Sequence, residues 1–267
     1  MCFIGRKDFD IIRGVSVLGR GAYENNMRGN LVRMNGELIR NLENKIKRDK
    51  IDSCIVQHQD TILFEYFRNQ KVRDKKQHKV YSVTKSVLSA LIGIAVDKGY
   101  LNIDTPISNY FPEFANQEIK IKHLLTMSSG LHYPGNGAMI PTKNWVDFVL
   151  SQPVENPPGK KMVYSCGSSQ VLSAILQKET GENAEAFAKK HLFAPLGIRD
   201  YHWHSDAQGV AIGGYGLMMR PFDMLKFGTL YLHKGRWNSK QIVPSAWVEE
   251  STTAHIPADD ESSYAYH

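Results

Sequence analysis

A serine and a lysine three residues apart, Ser82 and Lys85, form the first pair whose types and spacing could do chemistry. On a helix this separation places both side chains on one face, one turn apart. A serine hydroxyl is a weak nucleophile that needs a base beside it, and an uncharged lysine amine can be that base. Burial and the positive end of a helix dipole both disfavour the ammonium form. The pair predicts acyl transfer through serine, although a capping serine beside a surface lysine has the same spacing.

A tyrosine on a predicted loop, Tyr164, is the second candidate. It follows Pro158-Gly159 and precedes a helix that begins at Ser168. A phenol beside a cationic lysine can shuttle a proton to a leaving group, although a tyrosine taken alone is more often a core aromatic. Cys166 offers a rival thiol nucleophile with a histidine base, but no histidine lies near it in the sequence.

Metal and cofactor sites are not expected from this sequence. The ten histidines form no ligand pattern and no paired CxxC occurs. His202 and His204 are two residues apart, which suits neither a helix face nor a tight chelate, and residues 201–204 are interpreted as an aromatic-rich surface turn. There is no GxSxG elbow, Walker loop or GxGxxG fingerprint. We therefore predict no metal and no nucleotide cofactor.

The number of cysteines indicates the redox state of the cellular compartment, and the length of the apolar runs indicates whether the chain spans a membrane. Cys2, Cys54 and Cys166 are far apart and odd in number, which favours reduced thiols over a disulfide framework. No apolar run reaches the roughly 18 to 20 residues that span a bilayer. The first ten residues lack the apolar stretch and cleavage site of a secretory signal. We expect a cytoplasmic location and no membrane association.

The formal charge of +6 is concentrated in the N-terminal part of the chain. Residues 1–80 hold 17 Lys and Arg against 10 Asp and Glu, whereas residues 81–267 hold 16 against 17. Within the basic part, residues 68–79 are dense in Lys and Arg but contain no aromatic residue that could stack on a base. This pattern predicts a solvated loop and no nucleic-acid partner.

The elements that must position these residues follow from hydrophobic periodicity. Residues 35–50 have the pattern of an amphipathic helix, and residues 51–58 and 61–67 that of a β-hairpin. A helix from Ser82 to Gly99 is apolar around most of its circumference and is therefore central. Later residues up to about 250 are mostly helices joined by Pro-Gly turns, with further helices at 121–127, 145–151, 168–177, 185–193 and 221–233.

Four regions result from this pattern. Residues 1–33 form an N-terminal arm, 34–80 a helix plus β-hairpin, 81–255 a mostly helical region, and 256–267 the start of a return to the sheet. A two-stranded hairpin is marginal in isolation, so further strands are expected to complete the sheet. The predicted fold class is α/β (α+β), an antiparallel sheet flanked by helices beside a large helical region. Because late strands are missing, the chain is expected to be C-terminally incomplete.

Taken together, these residues resemble the serine β-lactamase-related hydrolases. This superfamily contains class C β-lactamases, penicillin-binding proteins, esterases and 6-aminohexanoate-oligomer hydrolases. The resemblance covers residues 36–267 and implies the β-lactamase/transpeptidase-like fold. It rests on segments that occur in family order, namely 81–86, 103–112, 121–131, 158–165, 195–198 and 213–217, followed by Asp223 and Phe227-Gly228.

The resemblance implies a role for each candidate residue. Ser82 would be the acylated nucleophile and would also supply one oxyanion donor through its backbone N–H. Lys85 would accept the proton of Ser82, and Tyr164 would shuttle protons. Cys166 stands at a substrate-binding position where the family commonly has Asn, a departure that argues against classical β-lactamase action.

A second departure concerns the third motif of the family. This motif is a Lys-or-His, Thr-or-Gly, Gly triplet on a late strand, and it has no counterpart here. The strand would supply the second oxyanion N–H, and loss of one such donor costs roughly 3 to 4 kcal/mol of transition-state stabilisation. Without it we expect impaired activity.

The sequence thus predicts a serine hydrolase that acts on a small ester or amide through a Ser82 acyl-enzyme. The alternative is a non-catalytic module of the same fold that binds β-lactams or peptidoglycan peptides. The predicted partner is a small-molecule substrate, and the oligomeric state is left open.

Overall fold

The computed structural model describes residues 36–114, 118–259 and 261–267. The expected N-terminal arm, residues 1–33, lies outside the described residues. The described residues form two compact units, one made up of residues 36–76 together with Arg220–Thr229, and the other of residues of Gln77–Met219 together with Leu230–His267.

Helices dominate the described chain, and its strands are short. The helices are α1 Gly36–Arg48, α2 Gln70–Asp74, α3 Val83–Asp97, α4 Ile121–Leu125, α5 Asn136–Met139, α6 Trp145–Leu150, α7 Cys166–Thr180, α8 Ala184–Ala188, α9 Pro221–Leu232 and α10 Ser245–Thr252. Two 3₁₀ turns, Ile107–Asn109 and Pro112–Phe114, and a π-helix, Lys189–Phe193, accompany them. The strands are β1 Ser53–His58, β2 Thr61–Phe67, β3 His78–Lys79, β4 Tyr201–Trp203, β5 Leu217–Met219, β6 Arg236–Trp237, β7 Lys240–Gln241, β8 Ile256–Asp259 and β9 Ser262–Tyr264.

The first unit contains the predicted hairpin. Strands β1 and β2 pair antiparallel from Ser53 opposite Phe67 to His58 opposite Thr61. This pairing confirms the interpretation of two β-rich runs separated by a tight turn.

The basic segment 68–79 was wrongly expected to be an irregular loop. Its central part is α2, and Asn69 caps this helix by accepting a hydrogen bond from the backbone N–H of Val72 at 3.0 Å. Arg68 and Lys76, which flank α2, both form ion pairs with Asp52. Much of the charge is thus used in contacts within the unit, and an N-capped helix of only five residues leaves too little periodicity to be recognised.

Helix α3 forms the centre of the second unit. Its residues are buried over nearly the whole circumference, as the apolar pattern predicts. The helix ends in a Schellman motif, with Gly99 at φ +76° and the N–H of Tyr100 bonded to the carbonyl of Ala95 at 2.9 Å. At Gly93 an added Cβ would lie 2.2 Å from Trp247 of α10, so glycine permits this close approach.

A three-stranded antiparallel sheet in the second unit has the order β3-β5-β4. The prediction of a surface turn at residues 201–204 is wrong for the first three of these residues, which form β4. Trp203 is buried there, and its indole N–H donates to the carbonyl of Ile212 at 3.0 Å. A three-residue strand is too short to show an alternating pattern, which explains the error.

Strands β8 and β9 form a further antiparallel hairpin. The sequence predicted the start of a return to the sheet at residues 256–267, and β8 and β9 lie within this segment. Strand β9 pairs with β8, within a two-stranded sheet.

Candidate active site

Ser82 lies immediately before the first turn of α3. Its backbone is helical, with φ −67° and ψ −10°, and its side chain makes no capping hydrogen bond. The alternative interpretation of Ser82 as a simple capping residue is therefore wrong. The preceding residue, Tyr81, has φ +44°, a left-handed conformation that is strained for a tyrosine and is typical of functional sites. Within the described chain, the backbone N–H of Ser82 has no hydrogen-bond partner.

Lys85 is buried below Ser82, with 1% of its surface exposed. Its Nζ lies 3.4 Å from Ser82 Oγ and donates to the carbonyl oxygen of Gly214 at 2.7 Å. No carboxylate among the described residues pairs with it. The alternative of a surface lysine is wrong, because the amine is buried and contacts Ser82, Cys166 and the carbonyl of Gly214.

Tyr164 is brought to the other side of Ser82. Its hydroxyl donates to Ser82 Oγ at 2.8 Å, and the Nζ of Lys85 lies 4.8 Å from the centre of its ring. The loop is anchored at Met127, whose carbonyl accepts from Val163 N–H at 2.8 Å and whose sulfur accepts from Ser165 N–H at 3.4 Å. Since 46% of Tyr164 is exposed, the interpretation of a core aromatic does not apply.

The ring of Tyr264 stands edge-on to Tyr164, with centroids 6.3 Å apart. Burial raises the pKa of Tyr264, with smaller contributions from Tyr164 and Cys166. Tyr264 therefore keeps its proton at neutral pH. Of these two neighbouring phenols, only Tyr164 is bonded to Ser82.

Cys166 is the first residue of α7, and its Sγ lies 3.4 Å from Lys85 Nζ. No histidine in the described chain forms a hydrogen bond with this thiol, so the structure does not bring together the rival Cys-His pair. Gly214 passes so close that an added Cβ would lie 2.9 Å from the Cβ of Cys166. A side chain at position 214 would therefore collide with Cys166 and move the carbonyl that Lys85 binds.

Two further groups near Lys85 were missed by sequence reasoning. One is the carbonyl of Gly214, a backbone group that every residue type carries and that no sequence pattern indicates. The other is His267, whose Nδ1 lies 2.9 Å from the carbonyl of Leu125 and whose Nε2 lies 3.0 Å from Ser169 Oγ. Because a carbonyl only accepts, Nδ1 carries the proton. Burial, with a smaller contribution from Lys85, lowers the pKa of His267 to about 3, so the imidazole is neutral.

The described parts of the chain contain neither a metal-binding cluster nor a membrane-spanning helix. No three His, Cys, Asp or Glu side chains there are grouped so that they could hold a metal ion. His202 and His204 do face each other, with Nε2 and Nδ1 3.2 Å apart. None of the described helices combines the length and apolar character needed to cross a bilayer.

The site thus brings together a serine hydroxyl, a buried amine and a phenol. All three lie within a segment of the chain that matches a known family model. The model described as Beta-lactamase matches residues 39–267. The chain belongs to the β-lactamase family. The resemblance inferred from sequence motifs is confirmed, and so is the β-lactamase/transpeptidase-like fold with small antiparallel sheets and helices.

Similar proteins include hydrolases of several kinds. The chain is 28% identical over 153 residues to esterase EstB of Burkholderia gladioli, a match covering 48% of this chain and 39% of the esterase. It is 22% identical over 231 residues to the 6-aminohexanoate-dimer hydrolase of Paenarthrobacter ureafaciens, covering 78% of this chain and 58% of that enzyme. The structure of EstCE1, a hydrolase with promiscuous acyltransferase activity, superposes with a TM-score of 0.68 at 17% identity, covering 85% of this chain and 80% of EstCE1. The match to the two curated relatives spans well under two thirds of their length.

Proposed function

We propose that this chain carries the active site of a serine hydrolase that cleaves a small ester or amide through a Ser82 acyl-enzyme. The observation that carries the proposal is the convergence on Ser82 Oγ of two proton-carrying groups, the amine of Lys85 at 3.4 Å and the hydroxyl of Tyr164 at 2.8 Å. The kinship with an esterase and an amide hydrolase supports the same class of reaction.

The proposed acylation step consists of three proton transfers. The uncharged amine of Lys85 takes the hydroxyl proton of Ser82 as the Oγ–carbon bond forms to the substrate carbonyl. When the tetrahedral intermediate collapses, the bond to the leaving oxygen or nitrogen breaks, and Tyr164 gives its proton to that atom. The ammonium of Lys85 then returns a proton to Tyr164. Water hydrolyses the acyl-enzyme by the reverse proton transfers.

The backbone N–H of Ser82 is the proposed oxyanion donor. It is free of other partners among the described residues, and the left-handed Tyr81 precedes it. A second donor is expected from the third family motif, which the 267 residues do not contain. With one donor, we expect transition-state stabilisation weaker by roughly 3 to 4 kcal/mol than with two.

Cys166 is proposed to contact the substrate beside the amine. Its thiol is a much weaker hydrogen-bonding group than an amide side chain. This chemistry favours esters over substrates that need a firm contact to an amide group. The odd number and wide spacing of the three cysteines support the proposed cytoplasmic location, because reduced thiols persist in reducing compartments.

Covalent labelling tests the proposal directly. The full chain is incubated with a fluorophosphonate probe, and the adduct is located by mass spectrometry. We expect a single adduct on Ser82 that is lost in Ser82→Ala and retained in Ser86→Ala. Ser86 is a matched control, because it lies one turn further along α3 and bonds to the carbonyl of His267 rather than to Lys85 or Tyr164. An adduct on another residue, or none, would refute the assignment.

A binding module is the second candidate function. A site that stabilises the tetrahedral intermediate poorly would acylate slowly while keeping its pocket. A fluorescent penicillin separates the two candidates. A hydrolase leaves a covalent mass on Ser82, whereas a binding module takes up the ligand reversibly with no covalent mass.

A further inference from the structure

A cavity of about 210 Å³ lies in the unit that contains the candidate active site, apart from Ser82 and its partners. It is smaller than the roughly 300 to 1,000 Å³ of typical ligand pockets, so it suits a small ion or a single functional group. Its polar lining includes Lys122 and His123 of α4, Ser128 and His255, beside the ring of Tyr266. We call it the α4 cavity. None of these residues is hydrogen-bonded to Ser82, Lys85 or Tyr164.

His123 presents an unused N–H donor at this cavity. Its Nδ1 accepts a hydrogen bond from the backbone N–H of Lys120 at 3.1 Å, so the proton of the neutral ring sits on Nε2. Burial lowers the pKa of His123, and the charges of Lys122 and Lys120 lower it further, which keeps the ring in this neutral form. The lack of a side chain at Gly159 keeps Nε2 of His123 accessible, because a Cβ added at Gly159 would lie only 3.3 Å from this nitrogen.

Lys122 adds a positive charge to the same cavity. Its ammonium is 2.6 Å from Asp104, a contact that uses one of its three donors. Ser128 has no hydrogen to offer, because Thr126 donates its own proton to the carbonyl of Lys122 and must accept from Ser128 at 2.7 Å. The donors that face an occupant are therefore the ammonium of Lys122 and the N–H of His123.

No carboxylate is among the residues that line the α4 cavity, although two acids contact the lining residues. Asp104 pairs with Lys122, and Glu250 accepts from the hydroxyl of Tyr266 at 2.9 Å. Two more lysines, Lys160 and Lys161, directly follow Gly159 in the chain.

We propose that the α4 cavity is a binding site for a small oxyanion, a phosphate or carboxylate group held by the ammonium of Lys122 and the Nε2–H of His123. Lys122 keeps two N–H donors beyond the one that Asp104 uses, and charge-assisted hydrogen bonds to such anions are the strong ones. The site is independent of the proposed hydrolysis at Ser82, since it requires no acyl chemistry.

Binding of inorganic phosphate and of acetate to the full chain, measured by calorimetry at constant ionic strength, tests the proposal. We expect saturable binding of at least one anion, weakened about tenfold or more in Lys122→Gln, because a hydrogen bond to a charged group contributes about 1.5 to 3 kcal/mol. Lys190→Gln is the matched control. It removes another ion-paired lysine of the same unit, 3.4 Å from Glu182, and should leave binding unchanged.

The two anions distinguish the occupant. Binding of phosphate alone assigns a phosphate group, binding of acetate alone a carboxylate, and binding of both a general oxyanion site. In the unaltered chain, the imidazole NMR signals of His123 should shift with the bound anion while those of the exposed His202 do not. The proposal is overturned if neither anion binds saturably, or if the two lysine variants bind equally well.

Discussion

Replacement of Lys85 by methionine separates a catalytic role from a structural one. Methionine keeps the length and apolar stem of the side chain and removes only the amine. The amine contacts Ser82, Cys166 and the carbonyl of Gly214. The change therefore removes the proposed base together with a buried hydrogen bond.

The expected effect on the free energy of unfolding is small, because the loss of a hydrogen bond and the relief of a burial cost oppose each other. The carbonyl of Gly214 loses its partner, which costs about 1 to 3 kcal/mol. Removal of the buried amine also relieves the cost of keeping a polar group away from water, which offsets part of this loss. We expect the free energy of unfolding to change by less than about 2 kcal/mol, which corresponds to a shift in Tm of no more than roughly 8 °C for a domain of this size.

The expected effect on acylation is much larger. Without a base the serine hydroxyl stays protonated, and we expect kcat/KM for an activated ester to fall by at least about 10³-fold, or roughly 4 kcal/mol. Labelling of Ser82 by a fluorophosphonate should slow in parallel. Ester hydrolysis, labelling rate and thermal unfolding are measured on the same preparations.

Lys178→Met provides the control. Lys178 also donates to a backbone carbonyl, that of Tyr110 at 2.8 Å, and lies 4.4 Å from the ring centre of Phe111, but it is outside the candidate site. This variant should keep its activity. The reasoning is refuted if Lys85→Met retains normal acylation, or if its loss of activity is matched by a loss of stability that leaves the chain unfolded.

Two further substitutions test the surroundings of Ser82. Tyr164→Phe should slow turnover by roughly 10²- to 10⁴-fold while leaving the melting temperature nearly unchanged, because the removed hydroxyl is bonded to Ser82 on a half-exposed side chain. Tyr264→Phe, which alters the neighbouring ring, should have little effect, and equal losses in the two variants would contradict a proton-transfer role. Cys166→Asn should raise kcat/KM for amides relative to esters by roughly 2- to 10-fold, since the new side chain can hydrogen-bond an amide group. Equal changes for both substrate types would argue against a substrate contact at this position.

Local sequence patterns predicted the parts of the site that one helix can hold. Ser82 and Lys85 face each other because a three-residue spacing on α3 dictates it, and the apolar circumference of that helix predicts burial of the amine. The end of α3 at Gly99 follows from the same local rules. These features depend on residues within one element and on no distant contact.

The contacts between distant elements could not be predicted in this way. Tyr164 is 82 residues from Ser82, and only the order of family motifs connected the two. The carbonyl of Gly214 has no side-chain signal, and its position depends on how closely it packs against Cys166. Trp203 lies in a strand too short to show a period, so its burial was missed.

Among the described residues, only two charged side chains are buried, and their surroundings differ in a way that bears on the proposed chemistry. Asp223, fully buried in the other unit, contacts Arg220 at 2.8 Å and Lys226 at 3.1 Å. A buried charge that is neutralised on two sides is suited to holding a structure together, because its removal breaks both ion pairs. Lys85 has no such partner, and two of its contacts are the hydroxyl of Ser82 and the thiol of Cys166. The amine of Lys85 is thus presented to the serine hydroxyl and to no carboxylate among the described residues, an arrangement that suits the proposed acyl transfer at Ser82.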